Sequence, residues 1–505
     1  MKKIMTRLLS LVLLGAFIPS FVLAETWDLG KGDITVTATE TSQTVSQVNG
    51  ETKDDPDPVI TSSGKTENTV TINAETNATA NVTLENVNID TGTRGGAAIT
   101  TSGEGNVNIE LNGTNTVQSG NTHAGVEKKD NGTLTITDED KDGSLTATGG
   151  NYGAGIGGGY EGSGSNIAIE GGNVKAIGGT HGAGIGGGFG GSGSNIAIEG
   201  GKVEASSVGG GAGIGGGSIG SGSGITVSGG EVTAQGGVGG AGIGGGQGGS
   251  GSNITISDGK VTATGAGAGA GIGGGYEGSG KGITIEGGEV TAQGDAGGAG
   301  IGGGISGTGS DVTISGDAQV KVQGGTTGRD WHKGAAIGNG GTPTTDGNEV
   351  SPNTSDLKVG GFIQIYEPGK NINTDTPDRT IEGQKGDHSW NAGEVTAETV
   401  PESKAAAYWV SDSQGQSIPY QAQQKDGVLT VTVQADTASL RGTTGSLSQL
   451  EAQGITGIRF VTNGAQSDFT LSDLLTSGTG SFTLTHDGDK VTFTLESKDI
   501  SGILK

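Results

Sequence analysis

Between residues 150 and 345 the apolar positions come as short alternating pairs separated by Gly and Ser. Ala154 and Ile156 form the first pair, Ile167 and Ile169 the second, Val174 and Ala176 the third. Alternation with period two predicts strands that bury one face. Gly/Ser corners at 162–165 (GSGS) and 171–172 (GG) can supply positive φ between them. The whole set then repeats. Ile156, Ile185, Ile214, Ile243, Ile272 and Ile301 stand 29 residues apart, each inside the heptad GAGIGGG. Three strands and three corners make one turn of a coil, and stacked turns pair as parallel strands about 4.8 Å apart. Parallel crossovers are right-handed in nearly all folds. The pattern predicts an all-β chain built on a right-handed parallel β-helix with 29-residue coils.

A single turn buries too few large aliphatics to offset the ordering of its backbone, so stability must come from stacking. Several columns along the axis can be read from the repeat. Asn166, Asn195 and Asn253 share one corner, where amides could chain hydrogen bonds, with Gly224 and Gly282 interrupting. After the GG corner one slot reads Asn173, Lys202, Glu231, Lys260, Glu289, an alternation of charge that favours this register. The outward slot of the second strand reads Ala168, Ala197, Thr226, Thr255, Thr284, Thr313. The heptad itself allows two roles. Its glycines either present a flat, bare strip to a polymer or another sheet, or they permit tight packing at a corner.

Outside the repeats the pattern loosens. Residues 25–149 read as irregular opening coils and a cap, with Ala98-Ile99 and Gly125-Val126 in heptad-like slots. The glycine-rich β-helix spans 150–345, and its last heptad, Gly334-Ala335-Ala336-Ile337, follows an insertion. Residues 346–398 hold a final coil, with a strand at Phe362–Tyr366, and a linker. From 399 to 505 the composition changes to that of a small β-rich α+β domain. It has a strand at 428–433, a short helix at 447–453, and a hairpin turning at Asp487-Gly488.

Composition sharpens this picture. There are 109 Gly, 30% hydrophobic and 4% aromatic residues, which favours a narrow, elongated core over a wide one. Residues 1–24 read as a secretory signal: Lys2, Lys3 and Arg7, then the apolar Leu8–Phe17, then Val22-Leu23-Ala24 at the cleavage site. The expected location is therefore extracellular, either secreted or associated with the cell surface. No later segment is suited to membrane insertion. The absence of Cys excludes disulfides, thiol catalysis and cysteine metal sites. Without the leader, 25 basic residues face 54 acidic ones, a net of −29 that repels nucleic acid.

The motif GAGIGGGxxGSGSNIxIxGGxVxAxGG, preceded by 82–91 (VTLENVNIDT) and 143–159 (GSLTATGGNYGAGIGGG), resembles the glycine-rich β-helix repeats of secreted Gram-positive surface proteins. These are described as adhesin-like or as carrying pectate-lyase-like carbohydrate-binding domains. The resemblance covers roughly 66–345 and implies a right-handed β-helix with an extracellular role. A C-terminal Leu-Pro-x-Thr-Gly sorting signal is absent.

Candidate chemistry is sparse. Glycoside hydrolysis needs two carboxylates across the scissile bond. Glu170, Glu199 and Glu286 instead follow the repeat along a solvated edge, and the repeats contain no Arg for lyase chemistry. No catalytic residue is assigned, and the chain is expected not to be an enzyme. A polysaccharide lyase or glycoside hydrolase on this scaffold is the alternative. Asp138, Asp140 and Asp142, followed by Gly143, match the opening of a Ca²⁺ loop, but Gly149 stands where the closing Glu belongs. Ca²⁺ is thus possible, and an acidic turn is the competing reading. Tyr160, Phe189 and Tyr276 share one corner slot, where they could stack on sugar rings or simply cover the corner. Arg329, Asp330, Trp331, His332 and Lys333 form the one insertion that concentrates charge, imidazole and indole, either as a binding loop or as a cap. The reading that fits best is a non-catalytic protein that binds an extracellular glycan or another surface polymer.

Overall fold

A computed structural model describes residues 24–505 except 49, 51, 130, 327–331, 343–344, 355, 359, 384–407, 413–417, 419, 426, 445–449, 451–454, 479–480, 496–497 and 505. The expected signal peptide, the helix expected at 447–453, and Arg329, Asp330 and Trp331 fall outside the described residues, apart from Ala24 and Leu450. The chain forms two units, one running to Gly383 and a second that includes 393–505.

The first unit is a parallel β-solenoid. Each repeat contributes a two-residue strand from the heptad, such as Ile156–Gly157, a second strand, such as Gly164–Ile169, and a third, such as Asn173–Gly178. The second and third strands stack into sheets of 11 strands each. The heptad sheet has 13, because Gln43–Gln47 and Lys53–Asp54 add an antiparallel hairpin beside Ile34–Ala38. The isoleucine column forms as the spacing predicts, with Ile156, Ile185, Ile214, Ile243, Ile272, Ile301 and finally Ile337 paired turn to turn. One apolar core runs from Trp27 to Ile365. The coils before 150 join the same ladders, since Val126 pairs with both Ile99 and Ile156.

The bare strip does not exist. The heptad glycines are buried, Gly159 only partly, and the space a side chain would occupy is in most cases already filled by neighbouring backbone. At Gly157, with φ +133°, a Cβ would lie 2.0 Å from the Gly186 carbonyl oxygen. The same 2.0 Å clash recurs at Gly186, Gly215, Gly244, Gly273 and Gly302. A Cβ at Gly158 would meet the Gly162 oxygen at 1.9 Å, where the following corner folds back. Tight packing is the reason for the glycines.

The Asn corner also has a different cause from the one expected. Asn166, Asn195 and Asn253 have φ of 56°, 51° and 51°, and Gly224, Gly282 and Asp311 in the same slot have 61°, 65° and 54°. Left-handed backbone selects Gly, Asn and Asp there. The amide chain is secondary: Asn195 Nδ2 donates to Asn166 Oδ1 at 3.1 Å, and Asn166 Nδ2 donates to the Asn131 carbonyl at 2.9 Å. The charge column holds its predicted register from Asn173 to Glu289. Its pairing is looser, with Lys260 3.6 Å from Glu231 while Lys202 turns to Glu204 at 3.2 Å.

At the C-terminal end of the heptad sheet, each turn's N–H groups point to the carbonyls of the next turn, as Ile301 N does to Ala336 O at 2.9 Å. Ala336 and Ile337 have no further coil to bond. The Glu349 carboxylate takes both N–H groups, at 2.8 and 3.2 Å. Burial pushes the Glu349 carboxyl above its ordinary range.

The second unit packs a five-stranded and a four-stranded sheet around Phe460, Phe469, Phe482 and Phe493. Strand Ser481–Asp487 turns through Gly488 (φ 65°) into Lys490–Leu495, the predicted hairpin. A helix at Leu471–Ser477, not foreseen from sequence, is capped by the Thr470 side chain, which accepts the Asp473 N–H at 3.1 Å.

Candidate binding surface

Loops flank the heptad on both sides, and the backbone locks them together along one edge. The residue after each heptad donates its N–H to a carbonyl of the preceding turn's loop. Phe189 bonds to Tyr152 at 2.8 Å, Ser218 to His181 at 2.8 Å, Gln247 to Gly210 at 2.7 Å and Tyr276 to Gly239 at 2.7 Å. Side chains from the two loops therefore stand along one edge, called the ridge below.

Aromatic rings open this ridge. Tyr160 and Phe189 stack at 5.7 Å and 13°, and Tyr152 and His181 stack at 5.1 Å and 11°. Edge contacts join the two stacks, Tyr152 to Phe189 at 5.9 Å and His181 to Phe189 at 5.3 Å. The Glu161 carboxylate beside the Tyr160 hydroxyl holds that phenol above its usual range. Farther along stand Val208, Ile219 and Val238, which are 67%, 62% and 65% exposed, and then Tyr276. Ile219 sits at φ 62°, in a slot filled by Glu161, Gly190, Gly248, Glu277 and Ser306 in the other turns. A β-branched residue in that region is strained.

Tyr160, Phe189 and Tyr276, singled out from sequence, do share this edge, and the first two touch. Tyr276 stands alone, with Gln247 and Ser218 between it and the aromatic cluster. Tyr152 and His181 were missed, because they lie ahead of the heptad in a slot that later turns fill with Gly210 and Gly239. Only the loop-to-loop hydrogen bonds bring the two slots together.

The other candidates are separate. His332 Nδ1 lies 3.0 Å from Asp346 Oδ1, which also accepts the Lys333 N–H at 2.9 Å. These bonds hold the Asp346 carboxyl below its usual range. Lys333 pairs with Glu367 at 3.3 Å. Lys333, Asp346, Glu349 and Glu367 line a hollow of about 240 Å³ at the closing coil, and the contact with Asp346 ties His332 to this cap. Asp138 Oδ1 accepts the N–H groups of Asp142 and Gly143 at 3.2 and 3.1 Å, and Lys141 takes φ 62°, which shapes an acidic turn. Among the described residues, no group of three or more His, Asp or Glu is placed to hold a metal. Glu170, Glu199 and Glu286 are exposed at the end of the second strand. No helix among the described residues is long and apolar enough to cross a membrane.

The model of a beta helix repeat matches residues 141–160, 167–189, 196–218, 225–247, 254–276 and 283–305. Every matched segment ends on the corner slot of the ridge, at Tyr160, Phe189, Ser218, Gln247, Tyr276 and Ile305. No curated protein and no solved structure matches the chain. The repeat model and the ladder of parallel strands agree: residues 141–305 are built of β-helix repeats.

Proposed function

We propose that this protein is a secreted, non-catalytic, adhesin-like binder of extracellular carbohydrate or a related surface polymer, and that it uses the ridge beside the heptads. One observation carries the reading. Of the six large apolar side chains most exposed among the described residues, all but Val48 lie in the loops that flank the heptads. Large apolar side chains left in water in neighbouring loops point to an interaction site. Aromatic rings with polar tips suit sugars, which present apolar C–H faces and hydroxyls together. The flanking loops also recur on every turn along the axis, which matches an extended polymer better than a compact ligand.

The test is retention on a panel of immobilised polysaccharides, run with and without Ca²⁺, for the full chain and for a Tyr160→Ala/Phe189→Ala/Tyr276→Ala variant. The proposal expects retention that the variant loses while its thermal unfolding is unchanged. No retention on any polymer, or equal retention of the variant, would count against it. Release of shortened chains from the panel would instead favour a lyase or hydrolase.

A further inference from the structure

A second surface, away from the ridge, has the shape of a site. On the outer face of the second sheet, ahead of the glycine repeats, lies a groove of about 500 Å³. Its floor comes from strands Thr79–Glu85, Asn106–Asn112 and Leu134–Thr137. Asn81, Asn108 and Thr135 align across these strands, as do Thr83, Glu110 and Thr137. Asp57, Glu139 and Glu170 complete the acidic part of the lining.

The floor is fixed before any ligand arrives. Gln43, only 7% exposed, clamps Asn81: its Oε1 accepts the Asn81 N–H at 2.9 Å and its Nε2 donates to the Asn81 carbonyl at 2.9 Å. Asn108 Nδ2 donates to Asn81 Oδ1 at 2.9 Å. Glu110 accepts the Thr137 hydroxyl and the Glu139 N–H. Amides, hydroxyls and carboxylates held at fixed spacing are what polyhydroxylated ligands require. Among the described lining residues there is no Lys, Arg or His, so four carboxylates set the sign of the field.

We propose that this groove binds an oligosaccharide free of negative charge, neutral or amine-bearing, and rejects uronic-acid chains. Hydroxyls and ammonium groups find acceptors on the carboxylates and amides. A uronate would bring its own carboxylate against like charge with no cation to neutralise it. The groove shares no residue with the ridge, so the two sites can fail independently.

Titration calorimetry on the full chain tests this with length-matched oligomers of glucosamine, N-acetylglucosamine and galacturonic acid. Glucosamine and N-acetylglucosamine oligomers are expected to bind, the former more tightly and with more sensitivity to salt, and galacturonate oligomers are not. Asn108→Ala combined with Thr135→Ala should weaken both binders about tenfold, the loss expected for one or two hydrogen bonds. Glu139→Gln, on a loop, should weaken only the glucosamine oligomer. The charge-matched Glu199→Gln and the ridge variant Tyr160→Ala should leave all three unchanged. The proposal is overturned if galacturonate binds as well as the others, if neither uncharged nor amine-bearing oligomers bind, or if Asn108→Ala/Thr135→Ala binds like wild type. Equal loss in Glu199→Gln would also overturn it, because general attraction to an acidic protein would then explain the binding.

Discussion

Between residues 150 and 326 every buried apolar side chain is Ile, Val or Ala, whereas the C-terminal unit closes around Phe460, Phe469, Phe482 and Phe493. In the repeats, the smallest residues set the tolerances. Gly215 and its equivalents let one turn's backbone rest on the next, with a carbonyl oxygen 2.0 Å from where a Cβ would stand. In the C-terminal unit the largest residues do so, with Phe469 and Phe493 centred 4.8 Å apart and Phe482 6.2 Å from each. A solenoid with so narrow an interior has little room for large side chains inside, so its large apolar groups appear on the edge.

The comparison can be broken most severely at a heptad glycine. Gly215→Ala is expected to destabilise the solenoid by more than about 5 kcal/mol, read as loss of its thermal transition. Gly64→Ala, where a Cβ meets nothing within 4 Å, should change stability by less than about 0.5 kcal/mol. Equal tolerance at both positions would restore the bare-strip reading. Next comes Phe493→Ala, expected to cost the C-terminal unit about 3–5 kcal/mol in denaturant unfolding while the solenoid transition stays in place. Glu349→Ala removes the acceptor for two buried N–H groups and should cost the closing coil about 1–3 kcal/mol, seen as faster amide exchange at Ala336 and Ile337. Ile219→Gly relieves left-handed strain at the expense of chain entropy, with a net gain below about 1 kcal/mol. The same variant should weaken polymer retention, so that stability and binding move in opposite directions.

The smallest effect separates the units by pH. His486 is buried between the Thr462 and Ser467 hydroxyls at 3.0 and 2.9 Å, and burial holds its imidazole below the usual value. The unfolded chain therefore takes up the proton first. The C-terminal unit should lose stability as pH falls below about 6.5, levelling off once the folded imidazole is protonated. Asp33 and Asp90 in the solenoid are shifted down by Arg94 and Lys65 respectively, so their contribution fades only below the ordinary carboxylate range. Urea midpoints of the two transitions between pH 7 and pH 5 check this, with a flat response of the C-terminal unit arguing against a buried neutral His486.

The repeat architecture was legible because a strict period writes the pairing into the chain: Ile156 with Ile185, Lys202 with Glu231. Backbone conformation was less so. The Asn166 column looks like a hydrogen-bond ladder in sequence, and only its φ shows that the slot selects for left-handed residues. The heptad glycines left two roles open for the same reason, since spacing does not say where the next carbonyl lies. The candidate surfaces depended on contacts between different slots of successive coils, which the period alone does not bring together. Tyr152 meets Phe189 through a loop pairing 37 residues apart, and the groove draws Asp57, Asn108 and Glu170 from different coils. The helix at Leu471–Ser477 has only seven residues, too few for a helical period to stand out.

The most direct test of the central claim is hydroxyl-radical footprinting of the full chain with and without whichever polysaccharide it retains. The account predicts that Tyr160, Phe189, Ile219 and Tyr276 become protected together, because one polymer lies along one edge. Labelling of these four side chains at the same rate in the free and bound protein would contradict it.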